Sequence, residues 1–244
     1  MANKKREQAP EQIAGKYFTQ RPSSPTKFKG TRDLHPLRPF IISGGKVTER
    51  YYFQHLSKLT EFKFRIEPKF FGKESDYTKE FPKRIKRILS KNTGAKIFCV
   101  FDWDTVYGNK TNLRKHIIFK KLIKEEIKNG SVVLCPSMPC FEYWFLLHFN
   151  NTTQLILSCK DVTHLLMNHM KSFFSQSGVP LTKILKTEEC VRDSDWVKKL
   201  YENGKLDKAI QRAEKNIKKA QETGELETQS YSYVYRVFAE YPEV

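Results

Sequence analysis

The chain has no apolar run approaching the ~18 residues of a membrane-spanning helix. Its opening residues, Met1-Ala2-Asn3-Lys4-Lys5-Arg6, also lack the apolar core of a secretion signal. No membrane association is expected, and the cytoplasm is the expected compartment. Cys-x-x-Cys pairs are missing: the five cysteines, at 99, 135, 140, 159 and 190, are odd in number. Cys99, Cys135 and Cys140 lie in or beside apolar segments, so reduced, packed thiols are expected and a zinc site is not. The GxxxxGK[ST] spacing of a Walker loop is absent, which leaves a nucleotide-binding switch without support. There are no internal repeats. Acidic residues are in short supply, with 27 Asp+Glu against 44 Lys+Arg and a formal charge of +17. That excess favours polyanionic partners, nucleic acid before a membrane, although a soluble chain with a Lys-rich surface has the same composition.

What is present reads as an α/β protein. A chain of 244 residues holds one large domain or two small ones. Residues 1–37 mix Lys, Gln, Pro, Ser and Gly without period, and eight basic residues there outnumber three acidic ones. This stretch is expected to be a disordered basic arm. From residue 38 to about 150 strands and helices alternate. Pro39 to Ser43 is a short apolar strand, and from Thr48 a helix carries Tyr52, Leu56 and Leu59 on one stripe. Residues 62–71 alternate as a second strand, and Tyr77 to Leu89 forms a second helix. A third strand ends at Asp102, a basic helix covers about 112–128, and Ser131 to Leu134 is a fourth strand. This order is the signature of a parallel sheet with right-handed crossovers. After residue 150 the pattern turns wholly helical, at about 161–173, 191–203 and 206–221, so 151–244 is expected to be a helical extension packed on the core.

The third strand carries the most information. Ile97-Phe98-Cys99-Val100-Phe101 runs directly into Asp102-Trp103-Asp104. Five apolar residues ending in a carboxylate read as a buried parallel strand that opens into a loop at the ligand-binding edge of the sheet. Two aspartates at i, i+2 on extended backbone point to one side, with Trp103 toward the other. Hard oxygen ligands there suit Mg²⁺ or Mn²⁺. Polar loop residues that cap a turn would look the same, so this pattern alone leaves both readings open.

Two further segments belong to the same edge. In Ser43-Gly44-Gly45-Lys46-Val47-Thr48-Glu49, glycine permits close backbone approach and Lys46 adds positive charge near a helix start. Glu49 falls in the first helical turn, where it either interacts with the helix dipole or adds a third carboxylate to Asp102 and Asp104. Pro136 to Phe149 begins at another strand end and runs into a very apolar helix. Glu142 opens that helix and is within reach of a metal, a bound water or Lys46. His148, among aromatics, is expected to be a packing residue. The basic tracts Arg114-Lys115-His116, Lys120-Lys121 and Lys124, and Lys215, Lys218 and Lys219, are either solvated faces or a phosphate track. Gly45, Lys46, Arg114, Lys120 and Lys121 are the candidate phosphate contacts.

Taken together, the Gly45-Lys46-x-Thr48-Glu49-x-x-Tyr52-Phe53 string, the Phe101-Asp102-x-Asp104 string and Pro139-Cys140-Phe141-Glu142-x-Trp144-x-Leu146-Leu147-His148-Phe149 resemble the RloB-like proteins. Ala209 to Ala213 and Val234 to Val237 resemble that family's closing helices, so the resemblance covers about 38–240. It implies a Toprim-type fold and a role in bacterial anti-phage defence by abortive infection, beside an ABC- or AAA-type ATPase. It also implies a metal-dependent nuclease acting on RNA, tRNA included, or DNA. Asp102, Asp104 and Glu49 would then be the ligands of Mg²⁺ or Mn²⁺, with Glu142 joining them in catalysis; homo-oligomers are compatible with such a protein. The family reads Glu-Gly in the first turn, whereas this chain reads Gly44-Gly45. Either Glu49 or Glu142 replaces the missing acid, or the fold is kept as a non-catalytic module that binds nucleic acid or the ATPase.

Overall fold

The computed structural model describes residues 38–67, 77–176 and 178–241. The expected arm at 1–37 and the end of the expected strand at 62–71 lie outside the described residues. Elements are numbered here within those residues. β1 (Phe40–Ser43) is followed by α1 (Thr48–Leu59), β2 (Arg65–Glu67), α2 (Tyr77–Lys91) and β3 (Ile97–Asp102). Then come α3 (Lys110–Leu122), α4 (Lys124–Lys128), β4 (Val132–Met138) and α5 (Glu142–Leu147). The chain continues through α6 (Cys159–Met170), α7 (Leu181–Lys186), α8 (Glu188–Val191), α9 (Asp195–Tyr201) and α10 (Lys205–Thr223) to β5 (Tyr231–Ser232) and α11 (Arg236–Ala239).

The sheet has the order β2-β1-β3-β4-β5. β1 pairs in parallel with β2 and β3, β3 with β4, and β5 joins β4 antiparallel. The protein is therefore α/β, with a mostly parallel sheet between layers of helices. Alternation along the strands sorts the core into two. Ile41, Phe98, Val100, Val133 and Cys135 face one side with Tyr52, Phe53, Phe141, Trp144 and Trp196. Phe40, Ile42, Ile97, Cys99 and Phe101 face the other with Phe81, Ile85, Phe119 and Ile123. Thus α1 lies on one face and α2 and α3 on the opposite one. From β1 the chain steps outward to β2, then crosses back to β3 on β1's other flank. The carboxyl ends of β1 and β3 therefore border a topological switch point, the crevice where open α/β sheets bind ligands.

Three expectations change. Residues after 150 are not wholly helical, because Tyr231 and Ser232 pair with Met138 and Ser137 as the edge strand. Two residues are too few to show a period, and their partners lie far away in sequence. The fourth strand does not stop at Leu134 but runs through Pro136 to Met138. The carbonyls of Ser131 and Ser137 bond toward β3, so Pro136 has its missing N–H on the β5 side, where pairing begins only at Ser137. The basic helix expected over 112–128 is broken at Ile123, whose side chain is buried and whose backbone leaves the helical region.

Segments beyond residue 150 complete the first core. Val162, Leu166, Leu185, Trp196 and Ala209 join Tyr52, Phe141 and Trp144 in one apolar cluster. At its centre the Trp144 Nε1–H donates to Tyr52 Oη at 2.9 Å, giving both polar tips a partner. Arg212 donates to the Leu147 carbonyl at 2.8 Å, satisfying an orphan acceptor at the end of α5. None of the described helices is long and apolar enough to cross a membrane.

Candidate functional site

β3 ends at Asp102, and the backbone then turns, with Val106 and Tyr107 donating N–H to the Trp103 carbonyl. The extended backbone expected to align Asp102 with Asp104 therefore stops at the first of them. Asp102 continues the alternation of Phe98 and Val100 and faces the side on which α1 and α5 pack. Its Oδ1 accepts from the Phe141 N–H at 2.8 Å, which ties the end of β3 to the entry of α5. Asp104 is held in the turn by its own N–H, donating to the Pro139 carbonyl at 3.0 Å. Trp103 takes the opposite side and packs edge-on against His116, with ring centroids 4.8 Å apart.

Glu49 reaches the same crevice from the first turn of α1. It is buried, and its carboxylate lies where a side chain at position 45 would begin. A Cβ built on Gly45 falls 1.8 Å from Glu49 Oε2 and 2.1 Å from Oε1. The glycine at 45 is thus a condition for Glu49 to fold back over the turn. Position 44 is different, since a Cβ there meets Phe101 and Val100 at 3.7–3.8 Å, ordinary contact distances. Gly44 leaves room for a side chain that this sequence does not supply.

Glu142, at the start of α5, is fully buried, and Lys186 approaches it from the end of α7 with Nζ 2.9 Å from Oε1. The Lys186 side chain is 52% exposed along its length while its ammonium ends on the buried acid. Its position follows from a strap between distant segments. Thr48 Oγ1 donates to the Leu185 carbonyl at 2.8 Å, His55 Nε2 contacts the Val191 carbonyl at 2.9 Å, and Tyr51 donates to Glu188. These contacts fasten α7 and α8 to α1 and deliver Lys186 to the acids.

The charges in this crevice act on one another. Burial holds the Asp102 carboxyl well above its usual range, and repulsion from Glu49 and Glu142 adds to that. Burial also raises Glu49, against the attraction of Lys186. Asp104 is raised by burial and partly relieved by the Thr105 N–H. Glu142 goes the other way: burial would raise it, but Lys186 together with the Cys140 and Cys159 thiols outweighs burial and holds it below its usual value. Burial opposes the Lys186 charge, yet Glu142, Glu49 and Asp102 together raise its pKa. Glu49 Oε2 and Asp104 Oδ1 are buried without a hydrogen-bond partner.

Of the sequence-selected residues, then, Glu49, Asp102, Asp104 and Glu142 converge. Lys46 is exposed, and the cation acting on these acids is Lys186. Arg114, Lys120 and Lys121 are exposed on α3, which covers the opposite face of the sheet. His148 is buried, its Nδ1 2.9 Å from the Trp144 carbonyl, and burial lowers its pKa to about 3. It packs as a neutral ring.

Sequence reasoning missed Lys186 and Cys159. Lys186 sits in an ordinary Lys-rich helix, and nothing in its neighbours marks Glu142, 44 residues earlier, as its partner. Among the described residues, the one set of three His, Cys, Asp or Glu side chains with donor atoms all within 4.8 Å of one another is Cys140, Glu142 and Cys159. The five cysteines are all free, and Cys99, Cys135 and Cys140 are buried, as expected of reduced, packed thiols. Glu49, Asp102 and Asp104 do not meet that spacing as a trio.

A family model described as RloB-like protein matches residues 40–240, and the chain belongs to that family. No curated protein and no solved structure matches it.

Proposed function

We propose that this RloB-like protein is a metal-dependent nuclease of the Toprim type. It cuts RNA, tRNA among the candidates, or DNA, as the effector of a bacterial abortive-infection system partnered by an ABC- or AAA-type ATPase. The reading rests on the gathering of Glu49, Asp102, Asp104, Glu142 and Lys186 at the switch point of the sheet. Four carboxylates in one partly buried crevice repel each other unless a cation joins them. The donors suit Mg²⁺ or Mn²⁺: all are hard oxygens, and Glu49 Oε2 and Asp104 Oδ1 are buried without partners. Such ions use one or two carboxylates and keep several waters, so a trio spread beyond 4.8 Å is compatible with the ion. Asp102 and Asp104 would hold it, with Glu49 as ligand or outer-shell base in place of the acid that Gly44 lacks. When bound, the ion would activate a water and neutralise charge on the phosphate.

The chain's own residues supply the rest. The Phe141 N–H fixes the Asp102 carboxylate toward the crevice. Glu49, whose carboxyl is raised by burial, would hold or return a proton. Lys186 would supply a positive charge to a phosphate oxygen, and Glu142 keeps its ammonium in place. Beside the Asp104 turn, Trp103, Tyr107, Leu113, Met138 and Tyr231 line a pocket of about 340 Å³, a platform on which a base stacks. Leu113 leads into the exposed Arg114, and Lys120 and Lys121 follow on the same helix to contact the nucleic-acid backbone.

A binding module without catalysis is the second reading, and two observations favour it: Gly44 offers no acid, and Lys186 already neutralises Glu142. Phage challenge of bacteria carrying the protein with its neighbouring ATPase separates the two. The nuclease reading expects Asp102→Ala/Asp104→Ala to abolish protection while expression and co-purification with the ATPase persist. Undiminished protection by that variant would leave only the binding module.

A further inference from the structure

Beside the oxygen-rich crevice lies a cluster of different chemistry. Cys140 precedes α5, Glu142 opens it, and Cys159 opens α6, so the fold joins donors from two separated segments. Their donor atoms all lie within 4.8 Å of one another. Cys140 is 1% and Glu142 0% exposed, while Cys159 is open on one side. The Cys159 thiol donates to Glu142 Oε2 at 3.2 Å, and the Cys140 sulfur lies within 4.8 Å of both groups. Lys186 sits on the other carboxylate oxygen, Oε1. The Cys159 thiol proton therefore lies between two of the three donors, and thiol protons are what a metal ion replaces on binding.

We propose that Cys140, Cys159 and Glu142 bind a thiophilic divalent cation of the Zn²⁺ type, at a position distinct from the hard-cation position at Asp102 and Asp104. Two sulfurs select such an ion over Mg²⁺. Three protein ligands leave the fourth tetrahedral position for water. The charges agree in both states. Without the ion, two neutral thiols accompany one carboxylate and the Lys186 ammonium. With it, two thiolates and the carboxylate balance the divalent ion and the same ammonium, and two protons leave to solvent. The half-open side of Cys159 is the entry route. Occupancy ties α6 to the turn that bears Phe141, whose N–H holds Asp102, and so stiffens one wall of the acidic crevice.

The test uses the full chain, stripped with a chelator and kept reduced by a phosphine so that no disulfide forms. Co²⁺ is the spectroscopic probe and Zn²⁺ its competitor. About one equivalent of Co²⁺ is expected to give thiolate-to-cobalt charge transfer, with about two protons released per ion. Zn²⁺ should displace it. Cys140→Ser/Cys159→Ser, confirmed as folded by circular dichroism, should lose the charge-transfer band and at least ~100-fold in Zn²⁺ affinity. The single Cys159→Ser variant, at the more exposed position, should lose most of the band even if the double variant folds poorly. Asp102→Asn/Asp104→Asn should keep the band, whether or not the protein is a nuclease. A wild type without the band, serine variants that bind Zn²⁺ unchanged, or loss of binding only in the aspartate variant would each overturn the site.

Discussion

Replacing Gly45 by alanine puts a methyl carbon 1.8 Å from Glu49 Oε2, where an ordinary contact begins at 3.4 Å. The backbone at 45 is not in the left-handed region, so the new side chain brings no backbone strain. The carboxylate, at the end of a flexible chain, must retreat by roughly 1.5 Å for the methyl to fit. The cost therefore falls on the site more than on the fold. Losing glycine's unfolded-state entropy stabilises by about 0.4–1 kcal/mol, which offsets part of the disturbance around Glu49. A displacement of about 1 Å at a reacting group costs on the order of 100-fold in rate. Gly45→Ala is thus expected to melt near the wild type, to bind Mn²⁺ more weakly by electron paramagnetic resonance, and to lose roughly 100-fold in metal-dependent cleavage. Gly44→Ala is the control, because its Cβ meets neighbours at 3.7 Å or more. It should match the wild type in all three measurements. A Gly45→Ala protein with unchanged Mn²⁺ affinity and cleavage would refute the claim that Glu49 belongs to the site.

Three further outcomes follow from the geometry. Lys186→Met leaves Glu142 buried without its cation and should cost about 1–3 kcal/mol in urea unfolding, less than a fully buried pair because half of the lysine side chain is exposed. Trp144→Ala, which empties a fully buried site and removes the donor to Tyr52, should cost about 3–5 kcal/mol, read from the same unfolding midpoint. His148 is lowered from 6.5 to about 3 by burial, so its contribution to stability is complete above pH 6.5 and is lost as the pH falls toward 3. At pH 5 the loss is roughly 2 kcal/mol, and His148→Gln should shrink the stability difference between pH 7 and pH 5 by that amount. An undiminished difference would mean that His148 does not enter the fold as a neutral ring.

The parts of the fold legible in the sequence were those written in local period. The Ile97 to Phe101 run marked a buried central strand, and alternating strands and helices gave the parallel sheet. The edge strand Tyr231–Ser232 escaped because two residues carry no period and its pairing is entirely long-range. At the site, strand ends and helix starts were visible through the residues beside them, and so Glu49, Asp102, Asp104 and Glu142 could be selected. Lys186 could not, since its place is set by Thr48 and His55 gripping the backbone of α7 and α8. Cys159 is likewise one thiol on a mixed helix until the fold brings it to Cys140 and Glu142. The sequence showed the glycine at 44 as a missing acid; only the structure shows that the glycine at 45 makes room for Glu49.

The central claim, that the acids at the switch point form a hydrolytic centre, is tested most directly with purified protein. Total tRNA and plasmid DNA are incubated with Mg²⁺ or Mn²⁺ and the wild type, alone and with the ATPase proposed as its partner, beside the Asp102→Ala/Asp104→Ala protein. The account predicts metal-dependent cleavage of at least one of the two substrates by the wild type and none by the double variant. Intact substrates throughout, or equal cleavage by both proteins, would contradict it.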